Sequence, residues 1–367
     1  MPPDTQPDAS DRSQTPWPIN EPHLNVPRLT IELPGVGGSI KQVPEDFQVE
    51  EIPAYEPCGT GEHLFLWIEK RGVAAEALIR HVAGSLGISA NGIGVAGLKD
   101  RHALTRQFVS VPCSASERVK EIDTPEIRVL DAKPHRHKLR TGHLAGNRFR
   151  IVVRDVVADA AERAAAVREK LLETGLPNFF GHQRFGRDAE TALLGMQLLR
   201  GEIDMLPGHR SRQRFLRKLA LSAAQAVLFN RYLTCRLEDG LLRTVLDGDV
   251  MFKLSGGIFY VTDRAVEQAR LDRRETVHAG PIFGKKTFAA RAEAAAREAV
   301  VLAEAGVTLD RLRKFGPLLN GTRRRNLVYV DDLTIQHVPQ GLEFRFSLPP
   351  GSYATVLLQE FMKTETA

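Results

Sequence analysis

The 367-residue sequence is poor in cysteine and in long apolar runs, and each shortage excludes a class of protein. Its three cysteines, Cys58, Cys113 and Cys235, lie far apart, which excludes a disulfide-stapled secreted domain and a cysteine-rich zinc site. No run approaches the roughly 18 consecutive apolar residues that a membrane span needs. The N-terminus also lacks the apolar segment of a secretion signal. We therefore expect a cytoplasmic protein that does not enter a membrane.

What is present is an ordinary globular composition with a slight basic excess. Hydrophobic residues make up 43% of the chain and charged residues 26%, and the length suits about two domains. The formal net charge of +5 permits a polyanionic partner only if the basic residues cluster. Residues 1–26 are rich in Pro, Asp and Ser and have no apolar periodicity, so we predict a mobile tail there.

Hydrophobic periodicity predicts a mixed α+β protein. Alternation with a period of two indicates strands at both ends of the chain, and spacing of three to four indicates helices between them. The strands are predicted at residues 29–33, 47–52, 62–69, 106–111, 149–153, 258–261, 327–330, 333–337 and 342–348. The helices are predicted at residues 73–86, 158–173, 189–199, 212–235, 287–305 and 354–362. This order predicts one sheet domain, residues 27–172 and 321–367, interrupted by an inserted helix-rich domain, residues 173–320.

One stretch, AGLKDRHALTRQFVSV at Ala96–Val111, combines a glycine turn, a charged triplet and a strand. Lys99 and Arg101 flank Asp100, and adjacent cations favour the ionised carboxylate that a nucleophile or base requires. A structural ion pair on the surface fits the triplet equally well. The glycines of Gly92–Gly97 match the spacing G-x-G-x-x-G, but a helix precedes them and a strand follows, the reverse of the order in a dinucleotide site.

A second stretch, residues 133–150, holds six Lys or Arg and three His but no carboxylate. Such a run favours a phosphate-binding surface over a merely solvated face. The histidines lack an accompanying acid or cysteine, so we do not expect a metal there. Smaller basic clusters lie at residues 209–218 and 323–325. The candidate RNA-binding side chains are Arg101, Arg136, Lys138, Arg140, Arg148, Arg184 and Arg187.

Two further segments carry side chains that suit contact with a nucleic-acid base. Asn147 could read a base edge through its paired donor and acceptor, and Phe149 could stack on a base, although Gly-Asn is also a common turn. Residues 177–187 mix three aromatics and two arginines with glycine. That mixture suits either base stacking or a packed turn.

Five of these segments, taken in order, resemble the TruD-type tRNA pseudouridine synthases. They span nearly all of the chain beyond the tail and include the motifs PEDFQVEE and GLKDR: Pro44–Glu51, Ala96–Gln107, Gly146–Phe149, Pro177–Gly186 and Leu348–Thr355. The resemblance implies isomerisation of uridine 13 in the D arm of tRNA. It also implies a pseudouridine-synthase catalytic domain with a mixed, mainly antiparallel sheet, interrupted by an inserted TRUD domain.

The resemblance further implies specific residue roles, with no cofactor, no metal and no obligate protein partner, in a monomer that binds tRNA. Asp100 matches the nucleophilic aspartate of the family. Phe47, Asn147 and Tyr353 match its contacts to the target nucleotide, and Lys99 and Phe149 complete the expected substrate-binding set. Tyr353 stands where many relatives have Phe, which keeps an aromatic face.

Two other functions remain open from the sequence. An RNA-binding protein without catalytic activity would use the same basic surface, but it would gain nothing from Asp100 facing phosphates. An enzyme with a nucleotide cofactor would use Gly92–Gly97, against the order of elements noted above.

Overall fold

The computed structural model describes residues 26–206 and 210–364, without the side chains of residues 187 and 210–212. The predicted tail lies outside the described residues. The chain forms two compact units. The discontinuous unit comprises Arg28–Leu176 and Val328–Ala367, and the inserted unit comprises Pro177–Leu327. The chain thus passes between the units at 177 and 327, where the sequence suggested 173 and 320.

The elements are given in chain order. The first part of the chain forms β1 (Gly37–Ser39), β2 (Phe47–Pro53), β3 (His63–Arg71), α1 (Ala75–Leu86), β4 (Gly94–Val95), β5 (Leu104–Pro112), β6 (Ile127–His135), β7 (Leu144–Val156) and α2 (Ala160–Thr174). The middle forms β8 (Leu176–Pro177), α3 (Glu190–Arg200), α4 (Arg210–Glu238), β9 (Val250–Lys253), β10 (Ile258–Tyr260), α5 (Arg264–Asp272), β11 (Thr276–Ile282), α6 (Ala292–Glu304), α7 (Leu309–Lys314) and β12 (Thr322–Arg325). The end forms β13 (Leu327–Val328), β14 (Thr334–Val338), β15 (Gly341–Leu348) and α8 (Ala354–Met362). The 3-10 segments include Pro44–Asp46, Cys113–Ile122 and Gly316–Leu319.

The discontinuous unit is built on a nine-stranded sheet. Its main path runs β14-β15-β7-β2-β5-β3-β6, with β1 added to β7 and β4 added to β5. The pair β2–β5 is parallel, and the other pairs along this path are antiparallel. The prediction of a mixed, mainly antiparallel sheet with helices is confirmed.

The two faces of this sheet differ in burial. Phe47, Val49 and Glu51 alternate with more exposed neighbours along β2 and define what we call the inner face. Helix α1 packs on this face through Leu78 and Val82, in one cluster with residues of β3 and β5. Helix α8 packs on it at the β15 end, where Phe361 and Phe344 lie 5.0 Å apart as ring centroids. The opposite face carries a smaller apolar cluster, in which Phe65 is buried with Ala96 and Leu139 and packs against Phe108.

The inserted unit has a helical core and a small antiparallel sheet. Helices α3 and α4 share its largest apolar cluster, and the sheet runs β10-β9-β11-β12. The sequence indicated α3, α4 and α6 but not α5 or α7, and, of these four strands, only β10. The unit also buries an ion pair, in which Arg236 contacts the Asp249 carboxylate at 2.7 and 2.9 Å. Within the described residues, no helix is long and apolar enough to cross a membrane.

The predicted strand at residues 29–33 is wrong. These residues form a turn. The main-chain N–H groups of Leu29 and Thr30 donate to the carboxylate of Glu360 at 2.8 and 3.0 Å. A buried carboxylate from α8, more than 300 residues away, satisfies donors that a strand would have paired with a neighbour.

Candidate active site

Asp100 lies on a loop that crosses the inner face of the sheet between β4 and β5. The loop is fixed at its start, where the Gly142 N–H donates to the Ala96 carbonyl at 2.8 Å. It is fixed in the middle because the Asp100 carbonyl accepts from Lys70 Nζ at 2.7 Å. The Asp100 side chain is 40% exposed, so its carboxylate is open to a ligand while its main chain is held.

The cation beside the Asp100 carboxylate is Lys41, which is distant in sequence. Its Nζ lies 3.2 Å from Asp100 Oδ2 and 4.3 Å from the centroid of the Phe47 ring. Lys41 adopts a φ of 62°, in the left-handed region that is uncommon for residues other than glycine. The backbone turn therefore brings one ammonium group to both the carboxylate and the aromatic face.

Lys99 does not lie where the sequence suggested. Its side chain is buried, and its Nζ contacts Glu51 Oε2 at 2.9 Å, with the Glu51 side chain only 1% exposed. The second Glu51 oxygen accepts from the Phe108 N–H at 3.4 Å. Lys99 thus anchors the loop to β2 and does not face the open side of Asp100, where Lys41 lies instead. Arg101 is exposed.

Aromatic rings line the inner face next to this loop. Phe47 and Phe149 meet edge to face at 6.2 Å, and Phe149 stacks on Phe346 at 5.2 Å. All three rings are almost fully buried. Asp46 fixes the start of β2, because Arg154 binds its carboxylate at 2.7 to 2.9 Å. Burial raises the pKa of that carboxyl, but the hydrogen bonds from Arg154 and from the main chain, together with the charge of Arg154, hold the pKa below its usual range.

Asn147 is placed on the same face by strand register. It pairs with Glu51 on one side and with Leu348 on the other, and directly opposed residues share a face. Its Oδ1 is buried and has no hydrogen-bond partner among the described residues. Gly146 permits the close approach of the strands here, since an added Cβ would lie 2.6 Å from the Leu348 carbonyl oxygen. A buried acceptor without a partner is unusual in a folded protein and is a group that a ligand can satisfy.

Tyr353 lies at the N-terminus of α8, where it is the N-cap residue. A short turn, which includes Gly351 at a φ of 81°, leads to it from Leu348, the residue opposite Asn147. The sequence-predicted residues Asp100, Phe47, Asn147, Phe149 and Tyr353 therefore all belong to the discontinuous unit. Four of them lie on or beside its inner face, and Tyr353 follows the strand end at Leu348.

The basic run of residues 133–150 divides into two kinds of charge. Several of its cations are already paired with carboxylates on the sheet: Lys133 with Asp131 at 2.9 Å, Arg148 with Glu50 at 2.8 Å, and Arg150 with Glu343 at 2.6 Å. The loop between β6 and β7, residues 136–143, which we call the basic loop, carries the rest. There Lys138 donates to the Asn91 carbonyl, and Arg136 and Arg140 are exposed without a carboxylate partner among the described residues.

In the inserted unit, most of the predicted contact residues serve the fold. Phe179 and Phe185 are buried, which makes residues 177–187 a packed turn. Arg184 donates to the Ser222 hydroxyl, and the Arg187 side chain lies outside the described residues. In the cluster at 323–325, Arg323 is buried against Glu298, and Arg324 donates to the Asn178 carbonyl at 2.9 Å. We therefore do not retain 323–325 as a phosphate-binding surface.

No group of three or more His, Cys, Asp or Glu suited to a metal occurs in the part of the chain that the structure describes. Gly92–Gly97 follows α1 and leads through β4 to β5, so no helix begins after these glycines. A pyrophosphate in a dinucleotide site is bound at a helix N-terminus, and this segment does not provide one.

The comparisons with known proteins agree with one another. The family described as "tRNA pseudouridine synthase D (TruD)" matches residues 23–206 and 204–361. This chain belongs to the TruD family. A relative from Anaeromyxobacter sp. (strain Fw109-5), named tRNA pseudouridine synthase D, is 44% identical over 92% of this chain and 96% of its own. A relative of the same name from Thermus thermophilus is 41% identical over 92% of both chains.

A solved structure from Methanosarcina mazei, assigned as a tRNA pseudouridine synthase D, has the same fold. It superposes with a TM-score of 0.76 and 25% identity, over 94% of this chain and 98% of that one. The predicted resemblance to TruD proteins and the fold class are therefore confirmed.

Sequence reasoning missed three residues that surround Asp100 in this TruD protein. Lys41, Glu51 and Lys70 contact the loop from elements far from it in sequence. Glu51 ends the motif PEDFQVEE, which was noted without a role for its last residue. The available signal was the strand alternation, which places Glu51 in β2 and Lys70 in β3 at buried positions. Such charged residues are rarely buried without a partner.

Proposed function

We propose that this chain is a tRNA pseudouridine synthase that isomerises uridine 13 in the D arm, with Asp100 as the nucleophile. Membership of the TruD family supports the reaction class. The observation that carries the residue assignment is the state of Asp100. Its carboxylate is 40% exposed and contacts Lys41, while hydrogen bonds hold its carbonyl and the side chain that precedes it.

The reaction needs such a carboxylate and is balanced without a further reactant. The bond between N1 of uracil and C1′ of ribose breaks, the base turns, and C5 bonds to C1′. C5 loses a proton and N1 gains one. The Asp100 carboxylate either attacks C1′ or promotes elimination there, and Lys41 Nζ lies 3.2 Å from its Oδ2.

The inner face offers contacts for an extruded base. A uridine inside a stacked arm must leave the stack, at a cost of a few kcal/mol, and aromatic stacking returns about 1–3 kcal/mol per base. We assign this stacking to Phe47 and Tyr353, with Phe149 supporting the Phe47 ring. Because Lys41 lies over Phe47, a base that stacks on that ring must displace the ammonium group.

Asn147 is the group that we assign to hold the detached base. Its Oδ1 has no hydrogen-bond partner in the part of the chain that the structure describes, and it can accept from a ring N–H of uracil. The exposed cations of the loops nearby, Arg101 and the Arg136 and Arg140 of the basic loop, would contact phosphates and position the arm.

The test is to incubate the pure protein, without any cofactor, with unmodified tRNA that carries U13. Pseudouridine would be mapped by carbodiimide treatment and primer extension. We expect one new stop, at position 13, that disappears when position 13 is changed to C. Binding of tRNA without any product would instead support an RNA-binding protein that lacks the catalytic activity.

A further inference from the structure

Three buried charged groups lie behind Asp100 and contact neither its carboxylate nor the open side of the site. Lys70 is fully buried, and its Nζ donates to the carbonyls of Asp100 at 2.7 Å and Val73 at 2.8 Å. Glu51 and Lys99 form a buried ion pair at 2.9 Å. None of these three groups takes a direct part in the proposed reaction.

The buried charge of Lys70 is not neutralised by an ion pair among the described residues. Within the described residues it has no carboxylate at salt-bridge distance, and an ammonium group buried without a counter-ion is unfavourable. Burial is the main cause that lowers its pKa to about 8; the charge of Asp100 raises the pKa and that of Lys99 lowers it further. We therefore relate this charge to the two main-chain carbonyls, of Val73 and Asp100, to which Lys70 donates hydrogen bonds.

These anchors act on consecutive residues of one loop. Lys70 fixes the carbonyl of Asp100, and Glu51 fixes the side chain of Lys99. Both anchoring residues project from strands of the same sheet, β3 and β2. The main chain is therefore held at Asp100 and at the residue before it. The Asp100 carboxylate can then move only by rotation of its side chain, and the contact with Lys41 limits that rotation.

We propose that Lys70 and the Glu51–Lys99 pair are positioning residues, which set the rate of the reaction by holding the Asp100 main chain without touching RNA. This inference rests on the proposed role of Asp100. A displacement of about 1 Å at a reacting group can reduce a rate by about 100-fold, so the loss of one anchor is expected to change kcat and to leave tRNA binding alone.

The experiment compares Lys70→Met with Lys170→Met, a matched control on the surface of α2 that pairs with Glu173. For Lys70→Met we expect kcat on unmodified tRNA to fall about 10- to 100-fold, with KM within about twofold of the parent value. Lys170→Met should match the parent in both. Glu51→Gln, which keeps its shape and loses its charge, is the second variant and should lower kcat in the same direction.

Two further readouts separate positioning from a structural role. Amide hydrogen exchange over residues 99–103, measured without RNA, should be faster in Lys70→Met and unchanged in Lys170→Met. The kcat of the parent protein should fall as pH rises through about 8, and Lys70→Met should lack that limb. Deprotonation leaves Lys70 with two N–H donors but removes the charge that strengthens its bonds to the two carbonyls, and the charged groups that face it, Asp100 and Lys99, do not restore that charge.

The proposal is overturned if Lys70→Met and Glu51→Gln both keep the parent kcat and the parent exchange rates. It is also overturned if activity falls only in proportion to the fraction of unfolded protein. If the parent protein makes no pseudouridine, the proposed function fails by itself. The exchange comparison then still decides whether these residues hold the loop.

Discussion

Binding of tRNA should depend on salt through a small number of cations that the structure singles out. In the basic run, Lys133, Arg148 and Arg150 are already paired with carboxylates, whereas Arg136 and Arg140 are exposed and have none among the described residues. A cation that is already neutralised by a carboxylate releases few counter-ions when it meets a phosphate. We therefore predict that the double variant Arg136→Ala/Arg140→Ala accounts for most of the salt effect of this run.

The magnitude follows from the count of free cations. Each phosphate contact contributes about 0.7 to 0.9 to the slope of log affinity against log salt, so two contacts contribute about 1.4 to 1.8. When salt rises from 50 to 200 mM, the affinity of both proteins for tRNA should fall. The fold-decrease for the double variant should be smaller than that for the parent protein by a factor of roughly 7 to 12. The measurement is fluorescence anisotropy of labelled, unmodified tRNA across that range of salt.

The control removes two arginines of equal charge that are paired with carboxylates. Arg118 contacts Glu121 at 2.7 Å, and Arg273 contacts Glu275 at 2.6 Å. The variant Arg118→Ala/Arg273→Ala should change the slope by much less than one unit. Equal slopes for the two double variants would show that total charge, and not the free cations of the basic loop, governs binding, and would refute the reasoning.

Three other predictions concern single buried groups. Asn147→Ala should abolish most turnover while the unfolding temperature stays close to that of the parent, because Oδ1 has no partner to lose among the described residues; a variant that unfolds would show that Asn147 serves the fold of β7 and not the substrate. Arg236→Met leaves the Asp249 carboxylate buried without its ion pair and should destabilise the protein by about 3–5 kcal/mol in chemical denaturation. His278 is buried, and its pKa is lowered to about 3, chiefly by burial. Stability should therefore be full above pH 6.5 and fall by about 3 kcal/mol by pH 4, a decline that His278→Gln should reduce.

Local patterns predicted the sheet and helices that build the site. The alternation in residues 47–52 identified β2, and the strand that follows Asp100 was recognised from the apolar alternation in Arg106–Val111. The final helix was predicted at residues 354–362, where it lies. Each of these patterns arises because one face of a single helix or strand is buried. The apolar residues of that face therefore recur at a regular spacing within a short stretch of sequence.

Partners from distant elements could not be predicted in the same way. The triplet Lys99-Asp100-Arg101 suggested that the two neighbouring cations hold the carboxylate, but a buried glutamate 48 residues earlier takes Lys99. Lys41 replaces it because a turn in the left-handed conformation aims its side chain at Asp100. Likewise, residues 29–33 alternate as a strand would, yet Glu360 binds their donors. Neighbouring residues in the sequence show the periodicity of a helix or strand. They carry no comparable pattern for a contact with a residue that is distant in the sequence.

The measurement that tests the central claim most directly is a single-turnover assay of Asp100→Asn beside the parent protein, with tRNA affinity determined for both. The substitution keeps the shape of the side chain and removes its charge. The account predicts near-parental folding and binding, pseudouridine at position 13 with the parent protein, and none with the variant. Substantial pseudouridine formation by Asp100→Asn would contradict the assignment of Asp100 as the nucleophile.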